Sequence, residues 1–328
     1  MVGAKMNVLS LFDGMACGRI ALERAGIPVD NYFAAEIDKY AIQIAQKNYP
    51  EIIQLGDVKN INEKMHLPSI DLVIGGSPCQ GFSRAGKGLN FEDPRSALFF
   101  EYVRILNKVA PQYFLLENVQ MKQHHQKVVN AFLGVKPLKI NSALLSAQNR
   151  VRLYWTNIPN IKQPEDKQII LSDILEKGSV DREKSYCIDA NYFKGGNLKS
   201  YFEKHRRQLV FSEPPPLPLA SPNLLVREAT KKGYTEIKDG DCFDATFLKS
   251  KTRRGRNMKD KSNCLTAATY DYMRYEYPTY RKLTPTECER LQTVPDGYTA
   301  GVSNTQRYKM LGNGWTVDVV AHILRGIL

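Results

Sequence analysis

Gly75, Gly76, Ser77, Pro78, Cys79 and Gln80 follow the apolar run Asp71 to Ile74, so a cysteine stands where a buried strand gives way to a glycine-rich loop. A loop at the carboxyl end of a strand can present a thiolate, the nucleophilic form of cysteine, while the sheet holds its backbone still. The pattern recurs downstream. Tyr113 to Leu116 reads as a second strand and runs into Glu117, Asn118 and Val119, which brings a carboxyl group to the same sheet edge. This pair suits attack on an electron-poor ring carbon, with the acid protonating a ring nitrogen as charge develops. A packed core would be an unsuitable setting for two glycines, Pro-Cys and a polar loop, because the loop amides would lack partners.

A second constellation lies nearer the N-terminus. Asp13, Gly14, Met15, Ala16, Cys17 and Gly18 follow the first apolar run and precede a helix signal. Glycines there let backbone amides approach a ligand at a helix N-terminus. The loop lacks the G-x-G-x-x-G spacing of a dinucleotide site and is followed by no phosphate-loop lysine. Glu36 ends the second strand and Asp57 the third, so one carboxylate can hold ribose hydroxyls and the other a base amino group. An adenosine ligand without phosphate fits this set. A nicotinamide oxidoreductase is the alternative for the strand-loop-helix alone, but it leaves Pro78 and Cys79 unexplained.

The elements that must position these residues alternate regularly in the first half. Asn7–Phe12, Tyr32–Ala35, Ile52–Leu55 and Arg152–Thr156 read as further strands, and 19–25, 38–48 and 98–107 as helices with apolar residues at helical spacing. Strands with helical crossovers imply a doubly wound, mostly parallel α/β sheet. After Asn157 the texture changes to charges, prolines and isolated glycines, with Pro214, Pro215, Pro216 and Pro218 as a stiff connector. Thr284, Pro285 and Glu287 open a helix as a capped N-terminus, and 317–328 reads as an apolar helix packing back onto the first half. The expected organisation is a catalytic domain of 1–157 and 281–328, interrupted by a smaller domain of 158–280.

Composition narrows the partners. The 328 residues are 43% hydrophobic, and no apolar run approaches the roughly 20 residues of a membrane helix. No secretory signal pattern is present, so the reading is cytoplasmic, with no membrane partner. Six scattered cysteines without C-x-x-C pairs speak against structural zinc and against a disulfide framework, and no metal is expected. Net charge is +12, and 249–261 holds Lys249, Lys251, Arg253, Arg254, Arg256, Lys259 and Lys261 against the single acid Asp260. Such density favours a polyanion.

Taken together, the chain resembles the DNA (cytosine-5) methyltransferases. Phe12, Asp13 and Gly14 with Gly18; Pro78, Cys79 and Gln80; Glu117, Asn118 and Val119; Gln148, Arg150 and Arg152; the block 281–295; and Gly312 with Asn313 carry the resemblance in the family's order and spacing. Phe99, Phe100, 151–159 and Trp315 are also similar to eukaryotic de novo members. The segment from about 158 to 280 matches no pattern. The chain departs from the family where a frequent Thr is replaced by Cys264, ahead of Leu265, Thr266 and Ala267.

The resemblance implies a class I, Rossmann-like fold, S-adenosylmethionine as methyl donor with S-adenosylhomocysteine as product, and double-stranded DNA as substrate for a monomeric enzyme. It implies that Cys79 adds to C6 of cytosine, that Glu117 bonds N3 and the exocyclic amine, that Arg152 holds O2, and that Arg150 supports the nucleophile loop or a phosphate. Arg150 and Arg152 are expected to turn to opposite faces of a strand and so not to hold one atom. On the cofactor side Phe12 stacks on adenine, Glu36 holds the ribose, Ile37 covers the ring and Asp57 bonds the adenine amine. The loop from Asp13 through Gly14 to Gly18, with Pro78 and Asn313, surrounds the rest of the cofactor. Gly81 to Arg95 reads as a lid over a flipped base, with Gln80, Ser83, Arg84, Lys87 and Arg95 meeting DNA. Arg253, Arg254 and Arg256 extend that contact, and Arg254, Arg256 and Asn257 are candidate base readers. A tRNA cytosine-5 methyltransferase and a catalytically silent DNA-binding relative are the alternatives. A compact recognition region would mark the former, and the intact Cys79, Glu117 and Arg152 speak against the latter.

Overall fold

Continuous apolar runs build the central sheet, as strands buried on both faces require. In the computed structural model, which describes residues 5–77, 97–213, 224–238, 240–244, 255–259, 272–274 and 279–328, the chain alternates strand and helix. It runs β1 (Met6–Leu11), α1 (Cys17–Ala25), β2 (Val29–Ala35), α2 (Lys39–Asn48), β3 (Ile53–Gln54), β4 (Leu72–Gly75), α3 (Ala97–Val109), β5 (Tyr113–Val119), α4 (Gln123–Leu133), β6 (Leu138–Asn141) and β7 (Val151–Thr156). The strand order is β3-β2-β1-β4-β5-β7-β6. All neighbours pair in parallel except β5 with β7 and β7 with β6, which are antiparallel. The expected mostly parallel, doubly wound sheet is therefore present. The third strand is shorter than the run 52–55 suggested, as suits an edge that would otherwise offer unpaired amides.

The chain winds outward from β1 to β3, then crosses back to β4 beside β1. The order reverses between these two strands. In open α/β sheets ligands bind at such a switch point, outside the carboxyl ends of the strands. Both chemically suggestive loops start there. Leu9, Leu11, Val73, Leu116 and Trp155 from the sheet pack with Phe99 and Tyr102 of α3 in the main core. Asp38 caps α2 by accepting from Tyr40 N at 3.0 Å.

Two compact units emerge. The first comprises Met1–Glu176, Arg182–Gly195 and Leu283–Leu328, the second Lys177–Asp181 and Gly196–Lys282. Residues 158–176 and 182–195 thus belong with the sheet, although their texture differs from the first half. The second unit contains α5 (Leu198–Lys204), β8 (Leu209–Phe211), β9 (Leu224–Arg227), β10 (Tyr234–Ile237), β11 (Cys242–Asp244), β12 (Asn257–Lys259), β13 (Tyr272–Arg274) and β14 (Tyr280–Lys282). It is a set of short antiparallel pairings: β9 with β10, β11 between β12 and β13, and β8 with β14.

The first unit resumes with α6 (Pro285–Leu291), α7 (Asn304–Asn313) and α8 (Val317–Leu324). The expected capping box is formed: Thr284 Oγ1 accepts from Glu287 N at 3.1 Å and Glu287 Oε2 accepts from Thr284 N at 2.8 Å, with Pro285 in the first turn. α8 packs against α1, as expected of the last segment, but stops at Leu324 and gives way to a 3-10 turn at Arg325–Ile327. Among the described residues no helix is long and apolar enough to cross a membrane.

Candidate active site

The loop after β1 is held in a costly conformation. Phe12 has φ +58° and Ala16 φ +64°, a region where non-glycine residues cost about 1–3 kcal/mol and persist only when their surroundings impose it. Glu36, one residue beyond β2, supplies part of that constraint. Its Oε2 accepts from Gly14 N at 2.8 Å, and its Oε1 accepts from Ile37 N at 2.7 Å and Asp38 N at 2.8 Å. The Ile37 side chain beside it is 74% exposed, unusual for so large an apolar group. Asp57 caps a turn after β3 through Lys59 N at 3.0 Å. Phe12, Glu36, Ile37 and Asp57 therefore follow three adjacent strands.

Within this loop Asp13 is buried. Tyr32 donates its hydroxyl to Oδ1 at 2.7 Å, whereas Oδ2 has no partner among the described residues. Burial pushes the Asp13 carboxyl up to about 6, against the pull of the Tyr32 hydroxyl. Burial likewise raises the neighbouring Cys17 thiol to about 12, which makes it an inert core residue. Gly18 fits where no side chain could: a Cβ would stand 2.3 Å from Ile74 Cδ1 and 2.9 Å from the Tyr32 hydroxyl. The end of α7 closes against the same loop. A Cβ on Gly314 would meet Met15 Cε at 3.2 Å and Cys17 Sγ at 3.3 Å, and Asn313, the preceding residue, is exposed.

A strand register brings the second constellation together. Glu117 lies opposite Tyr154 and Val119 opposite Arg152 in the antiparallel β5–β7 pair, so Glu117 and Arg152 are diagonal neighbours on one face. Arg152 Nε meets Glu117 Oε1 at 3.0 Å, with the two side chains only 14% and 11% exposed. Burial alone would lower the Arg152 guanidinium, but Cys187 and Glu117 hold it above its ordinary range. Glu117 also abuts the loop after β4. A Cβ on Gly76 would stand 2.9 Å from Trp315 Nε1 and 3.2 Å from Glu117 Oε2, so only glycine admits both groups. From the other face of β5, Asn118 Nδ2 donates to Ser77 O at 3.3 Å and Ser77 Oγ at 3.2 Å, fixing the backbone that leads into Pro78.

The expectation that Arg150 and Arg152 turn to opposite faces is corrected by the structure. Residues two apart in a strand share a face, and both guanidinia reach one sulfur: Arg150 Nη1 lies 3.4 Å and Arg152 Nη2 3.9 Å from Cys187 Sγ. Arg150, just before β7, is buried and braces distant segments, donating to Ile188 O at 3.0 Å, Gly312 O at 3.2 Å and Gly314 O at 2.8 Å. Cys187 carried no signal in the sequence, because no local spacing connects 187 with 150 and 152. Tyr32 and Gly76 were likewise readable only as strand and loop residues.

Pro78, Cys79, Gln80, Ser83, Arg84, Lys87 and Arg95 lie outside the described residues, as do Arg253, Arg254 and the Cys264 segment. Arg256 is exposed. Asn257, a candidate base reader, has its amide committed, donating to Glu236 O at 3.2 Å and Asp241 Oδ2 at 3.1 Å. Among the described residues no group of His, Cys, Asp and Glu side chains is placed to hold a metal ion.

A switch-point crevice with a strained first loop and carboxylates after successive strands defines a Rossmann-like fold of the class I methyltransferase type. The family model for C-5 cytosine-specific DNA methylases matches residues 6–328, and the chain belongs to that family. It is 30% identical to the type II methyltransferase M1.ScrFI of Lactococcus lactis subsp. cremoris, over 99% of this chain and 78% of the relative. It is also 30% identical to M.NlaX of Neisseria lactamica, over 97% and 94%, and 29% identical to the orphan methyltransferase M.SPRI of Bacillus phage SPR, over 99% and 98%. The fold is shared with the Entamoeba histolytica methyltransferase EhMeth, at TM-score 0.65 and 17% identity over 99% of this chain and 98% of that one.

Proposed function

We propose that the chain transfers a methyl group from S-adenosylmethionine to C5 of cytosine within a specific sequence of double-stranded DNA. The observation that carries this reading is the Arg152–Glu117 pair at 3.0 Å, which joins β7 to β5, the neighbour of the strand that precedes Cys79 in the sequence. An acid oriented by a buried guanidinium, beside a loop bearing a thiol, is the apparatus that nucleophilic addition to a pyrimidine needs.

The residues present fit the donor. Gly14 leaves room for a ligand against the first loop, the unpartnered Asp13 Oδ2 suits an amino group, and exposed Ile37 offers an apolar cover. Phe12, Glu36, Ile37 and Asp57 hold the adenosine, while Asp13, Pro78 and Asn313 bound the remainder. The donor supplies an electrophilic methyl group and leaves as S-adenosylhomocysteine.

Cys79 adds as thiolate to C6, the C5–C6 π pair moves to C5, and Glu117 steadies that charge by protonating or hydrogen-bonding N3, so that C5 can bond the methyl carbon. Arg152 holds Glu117 and the cytosine O2, and Arg150 keeps that strand end braced. After methylation solvent water takes the C5 proton, the C5–H electron pair re-forms the C5–C6 double bond, and Cys79 leaves as thiolate. C6 is hidden in stacked duplex DNA, so the base must be extruded at a cost of a few kcal/mol. Gln80, Ser83, Arg84, Lys87 and Arg95 meet the DNA around it, Arg253, Arg254 and Arg256 extend the contact, and the second unit serves target recognition.

Purified chain is expected to transfer labelled methyl groups to duplex DNA and not to tRNA in a parallel assay. Cys79→Ser is expected to abolish transfer while leaving DNA binding in place, and duplex containing 5-fluorocytosine to trap a stable adduct in the presence of donor. Transfer by Cys79→Ser at the normal rate, or methylation confined to tRNA, would overturn the reading.

A further inference from the structure

The β9–β10 hairpin has one sequestered face and one open face. Val226 and Ile237 turn inward with Phe243 and are 2%, 0% and 3% exposed, forming a small core of their own. The alternate residues point outward. Leu225 and Tyr234 are 53% and 44% exposed, and Arg227 and Glu236 are exposed as well. The register pairs Arg227 with Tyr234 and Leu225 with Glu236, so these four side chains form a single patch at ladder spacing. Neither the Arg227 guanidinium nor the Glu236 carboxylate has a partner among the described residues. The connecting turn carries exposed Lys231 and Lys232, against the half-buried Glu228.

We infer that this open face is a sequence-reading ribbon that enters the major groove of the target duplex, with Arg227 and Glu236 contacting base edges and Lys231 and Lys232 contacting phosphates. The inference rests on the reading that the chain acts on double-stranded DNA, and it specifies which residues choose the site. A two-stranded ribbon is narrow enough for the major groove. Three of the four outward groups match the chemistry displayed there: the Arg227 guanidinium for the guanine O6 and N7 acceptors, the Glu236 carboxylate for the cytosine amine, and the apolar Leu225 for the thymine methyl. The lysine-bearing turn complements the phosphate backbone, which such proteins use to set register. The committed amide of Asn257 removes one competing reader, and its hydrogen bond to Glu236 O helps hold the ribbon.

The test is methylation of a random-sequence duplex library by the full chain and its variants, with sites read by bisulfite sequencing. Arg227→Ala is expected to lose preference at one base pair, discrimination there falling by about tenfold or more. Arg227→Lys, which keeps the charge but lacks the bidentate fork, is expected to relax the same position. Glu236→Gln is expected to relax a different position. The double variant Lys231→Ala/Lys232→Ala should keep its consensus while losing rate uniformly, with a shallower salt dependence. A consensus unchanged in the Arg227 and Glu236 variants, or a loss equal at every sequence, would overturn the inference. Wild-type chain that deposits no methyl groups on the library would instead overturn the proposed reaction.

Discussion

Asp13 shows how a single side chain ties the loop after β1 to pH. Its carboxyl titrates near 6 in the folded chain against an ordinary value of 3.8, because burial disfavours the charged form. The folded state therefore binds the proton more tightly than the unfolded one, and the stability this contributes is full below pH 4 and lost as pH rises through 6. Asp13→Asn keeps an acceptor for the Tyr32 hydroxyl and removes the titration. It is expected to flatten the decline in urea-unfolding free energy between pH 4 and pH 8, a difference of up to about 3 kcal/mol. Parallel pH curves for the two proteins would show that Asp13 titrates normally. Arg150 and Arg152 share a face and a sulfur, but only Arg152 reaches the acid on β5, while Arg150 ties the start of β7 to Ile188, Gly312 and Gly314.

Among the elements, close approaches matter more than helix propensity. A Cβ on Gly312 would stand 2.2 Å from Asp189 C and 2.4 Å from Ala190 N, contacts to backbone that no rotamer change relieves. The same glycine's carbonyl accepts from Arg150. Gly312→Ala is thus expected to drive 189–190 away from α7 and lower Tm by more than Thr284→Ala, whose lost cap costs about 1 kcal/mol. Thermal melts of the two variants compare them directly, and equal shifts would mean that the 189–190 segment yields easily. The capping box was legible because Thr284, Pro285 and Glu287 act within one turn of chain. The 189–190 approach was not, because its partners are more than a hundred residues apart.

For the whole molecule the net charge of +12 sets the salt response. Each phosphate neutralised by a lysine or arginine releases counterions, so KM for duplex DNA is expected to rise about tenfold or more between about 50 and about 200 mM salt, with kcat changing little. A flat KM over that range, measured by initial rates, would mean that the excess charge does not face the substrate. The chain also divides differently from its compositional texture. Residues 158–176 and 182–195 pack with the sheet although their prolines and charges resemble the second unit, because packing against α6 and α7 rather than local pattern decides where irregular chain belongs.

Local pattern was enough to read the doubly wound sheet, the loops at its carboxyl edge, the cap of α6 and the placing of Glu36 and Asp57 after successive strands. Those features depend on residues a few positions apart, or on motif order along the chain. Long-range packing alone sets the grip of Arg152 on Glu117, the place of Cys187 beside two guanidinia, the fit of Gly76 against Trp315, and the engagement of the Asn257 amide while Arg227 and Glu236 are exposed. Each of these depends on strand register or on contacts between distant segments, and register is fixed by how buried faces pair across the fold rather than by any local run of residues.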